Sequence, residues 1–148
     1  MIEKIKDILT SVLPSKTHIY VGETKSIFGD PQIKIVFAVS DYNINGVRGQ
    51  MVQVVSLLLN LKDMELRPQV FGGNGGRSVY RKPNLNDPKE KYLAMKSIIL
   101  PFRKPKAEEK YVLAAIKRFA ENWLKVLKEN RDVLMYQDYV DYDDFLNS

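Results

Sequence analysis

Between Lys106 and Val133, seven apolar residues (Val112, Ile116, Phe119, Ala120, Trp123, Val126 and Leu127) recur at the spacing of one helical face. A stripe that long must be covered by a second layer of structure, and this requirement constrains everything that precedes it. Glu108 and Glu109 fall in the first turn, and Lys125, Lys128 and Arg131 toward the end, so each sign suits the helix dipole. Trp123 and Phe119 lie on the stripe and read as core.

The preceding chain reads largely as β. Residues 2–13 are the exception, with Ile2, Ile5, Ile8, Leu9 and Val12 on one helical face and Pro14 ending the pattern. His18–Val21 is a strand candidate closed by Gly22. A Gly29-Asp30-Pro31 turn signal follows, then a strand over 32–39. Asn45-Gly46 is a strong hairpin signal, because a type I′ turn needs positive φ at both central residues. It is expected to join 33–44 to 47–59 as an antiparallel ribbon. The second arm is ambiguous: Val47, Met51, Val54, Val55, Leu58 and Leu61 also form a helical stripe, and valine-richness favours strand. Residues 66–71 form the next strand, with Pro68 marking an edge. The run Gly72–Gly76 reads as a flexible hairpin tip, 77–81 as a returning strand, and 91–102 as a last strand centred on Ile98–Leu100.

The expectation is an α+β fold: a curved antiparallel sheet of about five to six strands, with a short N-terminal helix and a long C-terminal helix packed on it. With 148 residues the chain fits one domain that buries about two-thirds of its unfolded surface. Residues 1–133 read as that domain and 134–148 as an acidic, aromatic C-terminal tail that matches no strong element.

Charge is distributed unevenly. From Arg77 to Lys106 there are nine basic residues and two acids, a local balance of +7, although the whole chain carries only +5. The last 17 residues hold five Asp and no base. A pI near 9.3 favours polyanionic partners.

Several chemistries find no support. With no cysteine there are no disulfides and no thiolate catalysis, which fits a reducing compartment. One histidine, His18, opens a strand without a nucleophile signature nearby. No Cys/His/carboxylate set has zinc-ligand spacing. The glycine run lacks the Gly-Lys-Ser/Thr of a P-loop and leads into a strand. The N-terminus has no apolar core of a signal peptide, and no run approaches a membrane span. These observations point to a non-enzymatic protein that needs no metal or other cofactor, has no membrane partner and resides in the cytoplasm, or in a virion if viral.

Single strands of nucleic acid are held by Lys and Arg along the backbone and by aromatics that stack on bases. The candidates for these roles are Phe71, Arg77, Tyr80, Arg81, Lys82, Lys89, Lys91, Tyr92, Arg103 and Lys104. In a strand, Tyr80 and Lys82 share one face. Asp141, Asp143, Asp144 and Phe145 resemble the acidic, aromatic ends of single-strand-binding proteins, where such a tail competes for the basic groove and contacts partners. From Arg77 to Leu127 the order of basic strand, loop, apolar strand and long amphipathic helix also resembles PC4/Whirly-type single-stranded nucleic-acid-binding domains. The Lys-Gly-Lys-Ala-Leu-type motif of the plant branch is not present. The expected function is therefore single-stranded nucleic-acid binding by a homo-oligomer. Two alternatives use the same surface features: a ring-forming neck or tail-end subunit of a viral particle, and a small inhibitor or adaptor that binds a host protein.

Overall fold

The computed structural model describes residues 1–39, 51–69, 86–88, 100–134 and 138–148, together with the backbone of four short segments, 43–44, 47–48, 78–79 and 98–99. Helix α1 (Ile2–Val12) buries Ile5 and Leu9, one turn apart on its inner face. It stops where Leu13, which precedes Pro14, is pushed into extended backbone at φ −87° and ψ 149°. Strand β1 (Thr17–Lys25) then pairs antiparallel with β2 (Pro31–Val39), from Thr17 opposite Val39 to Lys25 opposite Pro31. Two short segments, β3 (Asn43–Ile44) and β4 (Val47–Arg48), pair antiparallel with Ile44 opposite Val47. This register suits the expected ribbon, although Asn45 and Gly46 themselves lie outside the described residues.

Strand β5 (Val52–Asn60) settles the ambiguous second arm as strand. It pairs with β2 and with β6 (Glu65–Pro68), giving a four-stranded antiparallel sheet in the order β1-β2-β5-β6. The central strands β2 and β5 are buried on both faces, so their side chains read as nearly continuous apolar runs. Phe37 opposes Val55 but Val39 opposes Val52, which inserts one extra residue into β5. Gln53 sits in this bulge with φ +54°. The bulge puts Val52, Val55, Leu57 and Leu59 all into the main core. Met51 and Val54 pack in a second, smaller cluster with Val36 and Ala38, whereas Val55 and Leu61 pack on the main core, so a strand that is apolar on both faces is what imitates a helical stripe.

The sheet has four strands, fewer than the five to six expected. Pro68 ends the edge strand β6, and the Gln69 N–H still donates to the Ser56 carbonyl of β5 at 2.8 Å. Strands β7 (Ser78–Val79) and β8 (Ile98–Ile99) form a separate two-stranded ladder, and that ladder is parallel. The glycine run 72–76 lies outside the described residues.

Helix α2 (Glu109–Asn130) is the expected long helix, 22 residues, and buries Val112, Ile116, Phe119, Ala120, Trp123 and Leu127. One core joins this stripe to Ile5 and Leu9 of α1 and to Ile33, Ile35, Phe37 and Val39 of β2. Burial of each large apolar side chain contributes roughly 1.5–3 kcal/mol. Trp123 is the centre of this packing. Its ring meets Phe37 edge-on at 5.0 Å and Phe145 at 5.9 Å. Phe145 belongs to a third helix, α3 (Tyr142–Leu146), so the acidic end of the chain carries an element that its sequence pattern does not announce.

Candidate nucleic-acid interface

Of the basic and aromatic candidates, Phe71, Arg77, Tyr80, Arg81, Lys82, Lys89, Lys91 and Tyr92 lie outside the described residues. The parallel pairing of Ser78–Val79 with Ile98–Ile99 brings the two ends of the basic segment side by side. Arg103 and Lys104 are described, and both line a pocket.

Leu100 is fully buried and fixes the chain as it leaves β8. Residues 101–106 then run without regular structure, as Pro101 and Pro105 require. Phe102 turns inward and meets Phe119 of α2 edge-on, with ring centroids 5.9 Å apart. The groove between this segment and α2 has a volume of about 500 Å³. Its floor is apolar, made by Phe102, Phe119, Ala115 and the two prolines, and Arg103, Lys104 and Arg118 rim it with Asn122 beside them.

Helical phase explains which residues α2 contributes. Tyr111, Ala115, Arg118 and Asn122 are spaced four, three and four apart and form a flank beside the buried stripe. At the head of this flank Tyr111 is 39% exposed, with the Lys110 ammonium 4.9 Å and the Lys106 ammonium 5.6 Å from its ring centroid. Both distances are within cation–π range. Among the described residues neither Arg103 nor Arg118 joins an ion pair, whereas Lys104 Nζ lies 3.3 Å from Glu65 Oε2. Arg118, Asn122 and Tyr111 are missed when basic residues are counted along the sequence. Placing them relative to Val112, Ile116 and Phe119 on a helical wheel would have found them.

The pocket lining contains no carboxylate, imidazole, thiol or hydroxyl. What it offers is aromatic edges for a flat ring and guanidinium groups for an anion next to that ring.

The acidic candidates occupy the other end of α2. Tyr142 and Phe145 are buried, while Asp141, Asp143 and Asp144 face outward. Asp141 caps α3, its Oδ1 accepting from the Asp144 N–H at 2.9 Å. Asp143 lies 3.4 Å from Arg131, and Asp144 pairs with Lys16. Thirteen residues of helix separate Arg118 from Arg131, about 20 Å along the axis. Burial pushes the Tyr142 hydroxyl pKa up to about 12, and the neighbouring Gln53 amide opposes that rise. Among the described residues both polar atoms of the Gln53 amide are buried without a hydrogen-bond partner of normal geometry.

Among the described residues no three His, Asp or Glu side chains converge to hold a metal, and no helix is long and apolar enough to cross a membrane. Compared with protein-family models, with curated proteins and with solved structures, the chain has no match.

Proposed function

We propose that the protein binds single-stranded nucleic acid without catalysing a reaction, and that the groove between residues 101–105 and α2 is a binding site. The observation that carries this reading is the apolar, aromatic floor of Phe102 and Phe119, with Arg103 and Arg118 at its rim in no ion pair among the described residues. A base enters edge-on to the phenylalanines, and the adjoining phosphates meet the guanidinium groups. Tyr111 with Lys106 and Lys110 extends the cationic path along the helix. The basic residues from Arg77 to Lys91 lengthen the site in this reading.

The acidic end has an electrostatic part. Asp141, Asp143 and Asp144 repel a polyanion from the distal end of α2 and so favour the cationic half. The cationic rim over an aromatic floor favours a binding module over an enzyme.

The reading is tested by fluorescence-anisotropy titration of labelled single-stranded DNA and RNA, with a duplex control, at two salt concentrations. Binding that prefers single strands and weakens steeply with salt is expected. No binding at low salt, or equal binding to duplex, sinks it.

A further inference from the structure

The turn between β1 and β2 presents two adjacent large apolar side chains to solvent: Ile27 is 94% exposed and Phe28 86%. The turn that carries them is well braced. Ser26 Oγ accepts from the Phe28 N–H at 3.2 Å and from the Asp30 N–H at 3.1 Å. The Ser26 N–H donates to the Asp30 carbonyl at 2.9 Å, and Gly29 closes the turn at φ +83°, a conformation that favours glycine. Such a pair gains nothing within one chain. It acquires a role when a second surface covers it.

A surface of suitable shape lies at the far end of β1. A pocket of about 470 Å³ opens between the ends of α1, α2 and α3, with Leu13, Leu124 and Leu146 among its apolar walls and Lys125 and Lys128 also lining it. Leu13 precedes β1, whereas Ile27 and Phe28 follow it. Nine strand residues at roughly 3.3 Å each put the two features about 30 Å apart. The tip therefore cannot enter its own pocket. Charge favours the pairing as well: Asp30 and Lys25 flank the tip, while Lys125, Lys128 and Arg131 outnumber Asp143 in the pocket lining, and Asp30, Lys125 and Lys128 join no ion pair among the described residues.

We propose that Phe28 and Ile27 of one copy seat in the Leu13–Leu124–Leu146 pocket of a second copy of this chain, with Asp30 facing Lys125 and Lys128. Knob and hole lie on different surfaces, so the contact is head-to-tail. Repeated, it closes into a ring or extends as an open chain. This contact does not depend on the nucleic-acid reading, since the groove at Phe102 lies elsewhere.

Sedimentation velocity of the full chain from low to high concentration tests the proposal. Mass is expected to grow with concentration. Phe28→Ser and, separately, Leu124→Lys should each weaken association roughly tenfold or more. Mixing the two variants should restore a dimer where each alone is a monomer, because the intact tip of one enters the intact pocket of the other. Should Leu124→Lys fail to fold by circular dichroism, the exposed pair Lys125→Glu and Lys128→Glu replaces it in the same mixing experiment. A wild-type chain that stays monomeric at high concentration overturns the proposal. So does association that Phe28→Ser leaves untouched, or a mixture that remains monomeric. Leu124→Lys that associates like the wild-type chain would also overturn it and would point to a tip-to-tip contact.

Discussion

Residues 101–106 and residues 140–146 both interleave aromatics with charges of one sign, yet the fold uses them in opposite ways. In the first, Phe102 is half-buried on Phe119 and its cations stand over an open groove. In the second, Tyr142 and Phe145 sink into the core beside Trp123, and two of the Asp residues are held by Lys16 and Arg131. The difference lies in backbone geometry. A five-residue helix puts Tyr142 and Phe145, three apart, on one face and the acids on the other. The two prolines keep the first segment out of a helix, so its aromatic and its cations stay together at one surface. An aromatic next to a charge thus becomes a binding element or an anchor according to the local backbone.

Substitutions can break this contrast. The largest effect is expected for Phe145→Ala, which removes a ring from the main core and should cost about 3–5 kcal/mol in denaturant unfolding. The folded fraction should still bind oligonucleotide as before. Phe102→Ala should reverse the pattern, with a smaller stability loss and binding weakened by about 1–3 kcal/mol.

The Tyr142 hydroxyl provides a second, pH-dependent signature. Its folded pKa is about 12 against an ordinary value near 10, so the folded state holds the proton more tightly than the unfolded chain does. The associated stability is fully present below pH 10 and is lost as the pH rises through 12. Two units correspond to about 3 kcal/mol. Unfolding free energies of the wild-type chain and Tyr142→Phe, measured across this window, should diverge in slope, with the variant falling less. Parallel curves would mean that this hydroxyl is not buried.

How much of this was legible in the sequence depends on the length of the pattern. Helix α2 follows from a period of 3.6 sustained over its length, and β1 and β2 from β-rich apolar runs bounded by Gly22 and by Gly29-Asp30-Pro31. Strand β5 was ambiguous because it is apolar on both faces and so shows no period of 2, and its bulge carries glutamine rather than glycine at the αL position, which no local residue signals. Helix α3 was illegible at five residues, less than two turns. The site was half legible. Arg103 and Lys104 stood out by charge density, whereas Arg118 and Asn122 become visible only once α2 has a rotational phase. The assignment of Phe145 to partner contact rested on composition, which does not distinguish a solvent-facing aromatic from one that packs on Trp123.

Smaller effects sharpen the comparison. The double variant Arg103→Ala/Arg118→Ala should weaken single-strand binding roughly tenfold, about 1.4 kcal/mol, and make the salt dependence shallower by about 1.4 in log–log slope. Its thermal stability should hardly change, because both side chains are exposed. At the other end of α2, Asp144→Asn weakens an exposed pair with Lys16 and should cost only about 0–1 kcal/mol. A larger loss would show that the acidic segment is anchored by charge rather than by Tyr142 and Phe145.

The central claim is that the groove at Phe102 takes up the nucleic acid and the acidic end does not. Amide chemical-shift mapping of the labelled full chain with a short single-stranded oligonucleotide tests it most directly. The account predicts the largest shifts at Phe102, Arg103, Lys104, Ala115, Arg118 and Asn122, with residues 141–146 unmoved. Shifts confined to 141–146, or none along α2 at saturating oligonucleotide, would contradict it.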